Sequence, residues 1–221
     1  MSGLKIKVIM KKIIITFIVL SVFSVSAHLN ISTRLMAKIH KKFGSDATKR
    51  VNEWQKLMKT GKNLPEKEKL KRVNAFFNRG IEFVDDINLW GQKDYWATPL
   101  EFLAHGAGDC EDYSIAKYFT LKELGVSEKK IRITYVKALK LNQAHMVLTY
   151  FAHPRAVPLV LDNLITEIRP ATKRKDLLPV YSFNGSGLWL AKAKGSGKKV
   201  GKASRLNMWE SLKERMLSNE I

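Results

Sequence analysis

An α+β chain is expected here, with a helical amino-terminal half packed on a mostly antiparallel sheet. Three observations carry that expectation: apolar residues recur at helical spacing over residues 30–80 and again from Cys110 to Leu124, they alternate with polar ones from Ile131 onward, and Gly125 separates the two regimes. With 221 residues, 45% of them hydrophobic, the chain can build one folding unit with a real core.

The elements follow in chain order. Lys5, Lys7, Lys11 and Lys12 precede an apolar or small run from Ile13 to Val25, and Val25-Ser26-Ala27 supplies small residues before a cut. This pattern reads as a secretory signal peptide over residues 1–27, leaving a single domain over 28–221. The apolar run is shorter than the roughly 20 residues a membrane-spanning helix needs, so no permanent span is expected after cleavage. Leu35, Ile39 and Phe43 then share one helix face. Ser45 or Asp46 can cap a second helix, which carries Val51, Trp54, Leu57 and Met58 and ends at Gly61. Pro65 opens a third, whose Leu70, Val73, Phe76 and Phe77 form an apolar stripe before Gly80. Such stripes are core material and are assigned no chemistry.

Residues 81–109 hold no sustained period and are expected to form a loop and a short helix capped by Thr98 before Pro99. From Cys110 the residues Ile115, Ala116, Tyr118, Phe119, Leu121 and Leu124 are helically spaced, and Gly125 ends that helix. Strands are expected at Ile131 to Tyr135, Met146 to Phe151, Leu159 to Leu161, Val180 to Phe183 and Leu188 to Leu190. A closing helix from Leu206 to Leu217 places Trp209, Leu212 and Met216 on one face.

Lys and Arg number 39 against 20 Asp and Glu, a formal charge of +19, so nucleic acid, an acidic protein surface and anionic lipid are all conceivable partners. No zinc finger or RNP motif accompanies the charge, and export argues against nucleic acid. Lys173, Arg174, Lys175, Lys192, Lys194, Lys198, Lys199, Lys202 and Arg205 cluster against one acid, Asp176. That tract reads either as a solvated edge with a flexible loop at Gly195-Ser196-Gly197, or as a surface attracting an acidic partner.

The chemistry centres on Cys110, the only cysteine. A single cysteine excludes an intramolecular disulfide, and an unpaired thiol in an exported protein is a candidate reactive group. A lone cysteine is more often a small buried hydrophobe, but this one opens a helix, where unpaired N–H groups and the dipole favour thiolate. His145 and Asp162 follow it in the order of a nucleophile, its base and the group that orients the base. Four other histidines compete, namely His28, His40, His105 and His153. His153 is the serious rival, because an even offset along one strand presents both rings on the same face. Asp162 has a simpler reading as a turn residue before Asn163. Asp109, Glu111 and Asp112 would raise the thiol pKa by repulsion. A bound Ca²⁺ held by these carboxylates, with help from the loop at Gln92 to Asp94, would neutralise them.

The stretches Trp96-Ala97-Thr98-Pro99-Leu100-Glu101-Phe102-Leu103, Gly108-Asp109-Cys110-Glu111-Asp112-Tyr113-Ser114-Ile115-Ala116-Lys117-Tyr118, Ala144-His145-Met146-Val147-Leu148 and Leu161-Asp162-Asn163 resemble the bacterial transglutaminase-like cysteine proteinases. The resemblance runs from about Asn30 to Val180, and within the family it points to the periplasmic proteases that release a large biofilm adhesin. It implies a papain-like or transglutaminase-like fold and a triad of Cys110, His145 and Asp162. It also implies calcium dependence through the carboxylates flanking the cysteine, and cleavage of the adhesin's N-terminal region between consecutive small residues. An inner-membrane cyclic-di-GMP receptor is the implied inhibitor. The oxyanion donors would be the Cys110 N–H and, in a role that a packed core aromatic explains equally well, the Trp96 indole. Two other classes remain open: acyl transfer or deamidation by the same triad, and a non-catalytic exported binding protein.

Overall fold

The computed structural model describes residues 31–190, 197–218 and 221, so the expected signal peptide and the loop at Gly195-Ser196 lie outside it. Helix α1, Thr33–Gly61, starts where Ser32 Oγ accepts the Leu35 N–H at 3.2 Å. It breaks at Gly44, whose φ of 81° lies in the left-handed region that glycine enters without steric cost. The two helices expected on either side of Gly44 are therefore both present. Helix α2, Glu66–Gly80, follows Pro65 and buries Leu70, Val73 and Phe77.

The stretch expected to be loop carries more order than its sequence announces. Two short strands, β1 (Glu82–Phe83) and β2 (Ala107–Gly108), pair in parallel and flank helices α3 (Asp86–Leu89) and α4 (Pro99–His105). Helix α4 has the cap foreseen at Thr98, closed as a reciprocal box: Glu101 N–H donates to Thr98 Oγ1, and Thr98 N–H donates to Glu101 Oε2 at 2.6 Å. The β1–β2 pair fixes the chain immediately before Cys110.

Helix α5, Cys110–Glu123, is the centre of the molecule. Its Ile115, Ala116, Tyr118 and Leu121 have no solvent exposure, because α2 and α4 cover part of it while strands β3 (Ile131–Ala138) and β4 (Gln143–Tyr150) cover the rest. A helix enclosed on all sides needs no single apolar stripe, which is why its sequence reads as broadly apolar. Trp54 Nε1 donates to Thr120 Oγ1 at 2.8 Å and ties α1 to it.

The remaining strands are β5 (Leu159–Leu161), β6 (Arg169–Pro170), β7 (Leu177–Asn184), β8 (Gly187–Leu190) and β9 (Lys198–Gly201). They complete a seven-stranded sheet in the order β6-β5-β4-β3-β7-β8-β9, every neighbouring pair antiparallel. The core side of the sheet presents Ile131, Ile133, Met146, Leu148, Leu161 and Phe183; a smaller apolar group, Val136, Val147 and Val160, covers the other side. Helix α6, Asn207–Ser218, returns to the core as expected, burying Trp209 and Leu212. Trp209 stacks on Phe119 with ring centres 5.5 Å apart, and its truncation to alanine costs about 3–5 kcal/mol.

Two expectations need correction. His153 shares no strand face with His145, since β4 ends at Tyr150 and residues 152–157 turn away in an exposed bend. The basic tract is not uniformly solvated. Arg174 is 3% exposed and paired with acids, so it belongs to the interior.

Candidate active site

Cys110 is the first residue of α5, with Asp109 as the cap residue. Strand β5 pairs with β4 only from Leu148 to Tyr150, which leaves the earlier part of that edge open to the α5 tip. There the Met146 N–H points at Cys110 Sγ across 3.4 Å. The residue before Met146 is His145, 5% exposed, whose Nε2 lies 2.7 Å from Asp162 Oδ1. The sequence candidates Cys110, His145 and Asp162 are thus brought to one end of β4.

Asp162 is 1% exposed and accepts at three atoms; it is also the turn residue that its place before Asn163 suggests, since its Oδ1 bonds the backbone two residues on. Oδ1 also accepts the Leu164 N–H at 3.1 Å, Oδ2 accepts Arg174 Nη2 at 2.6 Å, and the backbone carbonyl accepts Asn78 Nδ2 at 2.7 Å. Burial pushes this carboxyl upward, but the bonds and charges of His145 and Arg174 outweigh it and hold the group down at about 2. An ionised Asp162 can only accept, so in the neutral imidazole of His145 the proton sits on Nε2 and Nδ1 carries the lone pair.

The thiol itself does not match the expectation drawn from its helix position. Burial, the largest cause, and the charges of Glu111 and Asp109 push the Cys110 pKa well above that of a free thiol, and Sγ donates to Glu111 Oε2 at 3.0 Å. Desolvation penalises the thiolate, and two adjacent acids exceed what the helix end supplies.

Those acids form a cluster with two residues from the preceding loop. One carboxylate oxygen from each of Asp86, Asp109 and Asp112 lies within 4.8 Å of the other two, and Asp86, Asp94 and Glu111 form a second such group. Burial, then repulsion, raises Asp109 to about 9 and Glu111 to about 7, and lifts Asp112 well above the usual carboxylate range. Asp86 Oδ1, Asp109 Oδ1 and Asp112 Oδ2 are buried with no hydrogen-bond partner. The other oxygens of Asp112 and Asp86 brace the loop, for Asp112 Oδ1 accepts the Ala97 N–H at 2.7 Å and Asp86 Oδ2 accepts the Tyr95 N–H at 2.5 Å. Three orphaned carboxylate oxygens, hard and anionic, fit a hard divalent cation such as Ca²⁺. Asp109, Glu111 and Asp112 were singled out from sequence and Asp94 was suspected; Asp86 was missed. Its only signal was an acid in the aperiodic stretch.

Gly108 is required beside this cluster, because a Cβ there would run into Asp112 Oδ2 and approach the Phe102 ring to 2.7 Å. Trp96 is 4% exposed and stacked on Phe183 with centres 5.5 Å apart, and its Nε1–H is buried without an acceptor. His105, another rival, is wedged between Phe43 and Trp90 at 4.8 and 4.4 Å, where burial lowers its pKa.

No curated protein sequence matches the chain. The solved structure of Legionella pneumophila LapG is 43% identical, covering 84% of this chain and 98% of that one, with a TM-score of 0.72. EGTA-treated LapG gives 0.73 over the same shares, and calcium-bound LapG gives 0.71 over 84% and 99%, each at 43% identity. The family model for bacterial transglutaminase-like cysteine proteinases matches residues 36–189. The chain therefore belongs to the bacterial transglutaminase-like cysteine proteinases.

Proposed function

We propose that this protein is an exported, periplasmic, calcium-dependent cysteine endopeptidase that cuts the N-terminal region of a large surface adhesin between consecutive small residues. The observation that carries the proposal is the convergence at the end of β4. A solitary thiol meets the backbone beside a histidine whose ring is bonded to a buried carboxylate. Cys110 is the nucleophile, His145 the base and Asp162 the residue that sets the ring tautomer.

In this reaction His145 Nδ1 takes the Sγ proton as the sulfur attacks the scissile carbonyl, and Nε2–H stays on Asp162 throughout. The Met146 N–H stabilises charge on the sulfur. The carbonyl oxygen gains charge and is met by the Cys110 N–H, with the unpaired Trp96 Nε1–H as the second donor. The imidazolium then returns its proton to the leaving amine, the acyl group rests on Cys110, and water activated by His145 releases it. Asp109, Glu111, Asp112, Asp86 and Asp94 would hold the calcium ion. When bound, it offsets the negative charge that otherwise opposes ionisation of Cys110.

Calcium-bound and EGTA-treated forms of the LapG relative support the calcium reading. The sequence resemblance supports export, the adhesin substrate and control by an inner-membrane cyclic-di-GMP receptor. Among the described residues no helix is long and apolar enough to cross a membrane.

The test is to incubate the purified domain with an adhesin N-terminal fragment containing adjacent alanines, with calcium or with chelator, and to read products by mass spectrometry. Two shorter fragments are expected from the native protein. Cys110→Ala should give none, and chelation should suppress them. Mass gain or a one-dalton shift without cleavage would instead mark acyl transfer or deamidation, and cleavage by Cys110→Ala would end the cysteine-protease reading.

A further inference from the structure

We infer that Arg174 is a positioning residue for the reaction, the outer member of a chain running His145–Asp162–Arg174–Asp176; the inference rests on the protease reading of the site. Arg174 Nη2 donates to Asp162 Oδ2 at 2.6 Å and to Asp176 Oδ2 at 2.8 Å, while Nε reaches Asp176 Oδ1 at 3.0 Å. The side chains of Asp162 and Arg174 are 0% and 1% exposed, and that of Asp176 is 23% exposed. One planar guanidinium thus bridges a buried carboxylate and one anchored near the surface. A lysine, with a single nitrogen on a flexible stem, cannot reproduce that fork.

Among the described residues, the titratable groups that bear on Asp162 come from three segments. His145 comes from β4, Arg174 and Asp176 from the segment leading into β7, and Lys117 from α5; neutral Asn78 comes from α2. Lys117 Nζ donates to Asn78 Oδ1 at 2.7 Å and to the Asp162 carbonyl at 3.2 Å. Lys117 and Asn78 therefore hold the backbone of Asp162, and Arg174 holds its carboxylate. With only the His145 bond and the Leu164 N–H, both on Oδ1, the carboxylate could swing about its χ2 and carry the imidazole with it. The Arg174 bond on Oδ2 removes that freedom.

Stability alone does not explain such an arrangement. A buried ion pair is often no more stabilising than an apolar pair of the same volume, because desolvation offsets the attraction. This pair sits on the carboxylate that contacts His145, the neighbour of the Met146 whose N–H meets the thiol sulfur. A base displaced by about 1 Å loses on the order of 100-fold in rate, so fixing Asp162 has a kinetic return that an apolar pair lacks. Read in sequence, Arg174 belonged to a basic tract, either a solvated edge or a surface for an acidic partner. Its burial assigns it to the site.

The experiment compares Arg174→Met, Arg174→Lys and Asp176→Asn with the native protein, using Asp162→Asn and Cys110→Ala as references, all in calcium. Cleavage kinetics are expressed per folded molecule, from thermal melts and thiol titration, and the His145 Nε2–H is followed by proton NMR. Arg174→Met should lower kcat about 100-fold with KM within about twofold, and its Nε2–H signal should exchange rapidly and broaden. Arg174→Lys, which keeps the charge without the fork, should restore part of both; Asp176→Asn should lose several-fold in kcat. If Arg174→Met does not fold, Arg174→Lys and Asp176→Asn decide. Native kcat and an unchanged Nε2–H signal in folded Arg174→Met, or in both other variants, would overturn the inference. If Asp162→Asn and Cys110→Ala also cleave normally, the failure lies in the protease reading itself.

Discussion

Replacing Asp162 with asparagine keeps the shape of the side chain and removes its charge, so it isolates what the carboxylate does. Oδ1 and Oδ2 accept from His145 and Arg174 at 2.7 and 2.6 Å. An amide accepts from one of those donors and turns its NH₂ toward the other. One charge-assisted bond is lost, at about 1.5–3 kcal/mol. The same bonds lower the Asp162 carboxyl from an ordinary 3.8 to about 2, which corresponds to about 2 kcal/mol. For a domain of this size the melting temperature should fall by about 4–10 °C. The sign of the acid dependence follows. Because the folded pKa is depressed, this stabilisation is present above about pH 4 and is lost as pH falls through 2, so the native protein should show an acid-linked loss over that window that the variant lacks. Activity should suffer more. If the amide NH₂ faces His145, Nε2 must accept and the proton moves to Nδ1, which can no longer take the thiol proton; a loss of about 10⁴-fold in kcat is expected. Thermal melts from pH 2 to 7 and cleavage assays on the adhesin fragment measure both. A variant that keeps more than a tenth of native kcat would refute the claim that Asp162 sets the tautomer.

Three further outcomes are expected. Gly108→Ala drives a methyl into Asp112 and the Phe102 ring; overpacking of this kind costs about 1–3 kcal/mol, and calorimetry should show weakened calcium binding. Calcium at about 100 times its Kd should stabilise the folded protein by about 2.7 kcal/mol. EGTA or Asp112→Asn should remove that stabilisation in a thermal melt, and an equal shift in Asp112→Asn would place the ion elsewhere. Lys117 is buried, and desolvation pushes its ammonium down to about 7 despite the pull of Asp162. The unfolded chain binds more protons than the folded one between pH 7 and about 10.5, so this residue makes stability rise with pH there. Urea titrations at pH 7 and 9 should show that increment in the native protein relative to Lys117→Met, and identical pH slopes would contradict it.

The helices were legible because their determinants are local. Ser45 or Asp46, Pro65 and Thr98 offer starts, Gly61 and Gly125 mark ends, and the spacing of Leu70, Val73 and Phe77 marks a buried face. Strand β4 was legible as a run of apolar residues expected to end at Phe151, one residue past its end at Tyr150. His153 was a rival to His145 only on the supposition that the strand ran on to it, against the break that Pro154 marks. The β1–β2 pair was illegible for a related reason: Glu82–Phe83 and Ala107–Gly108 are too short to show a period, and their partners lie about 25 residues apart.

The amino-acid order alone specified the α+β class, the helix that Cys110 opens, the candidates His145 and Asp162, and the acids flanking the thiol, since each is written within a few neighbouring positions. Only tertiary structure could decide that Asp86 joins Asp109 and Asp112, that Arg174 leaves the basic tract to bind Asp162, and that burial raises the thiol pKa rather than lowering it. The reason is physical. Periodicity and capping act over a few residues, whereas charge pairing and desolvation depend on which distant segments are packed within a few ångströms of one another.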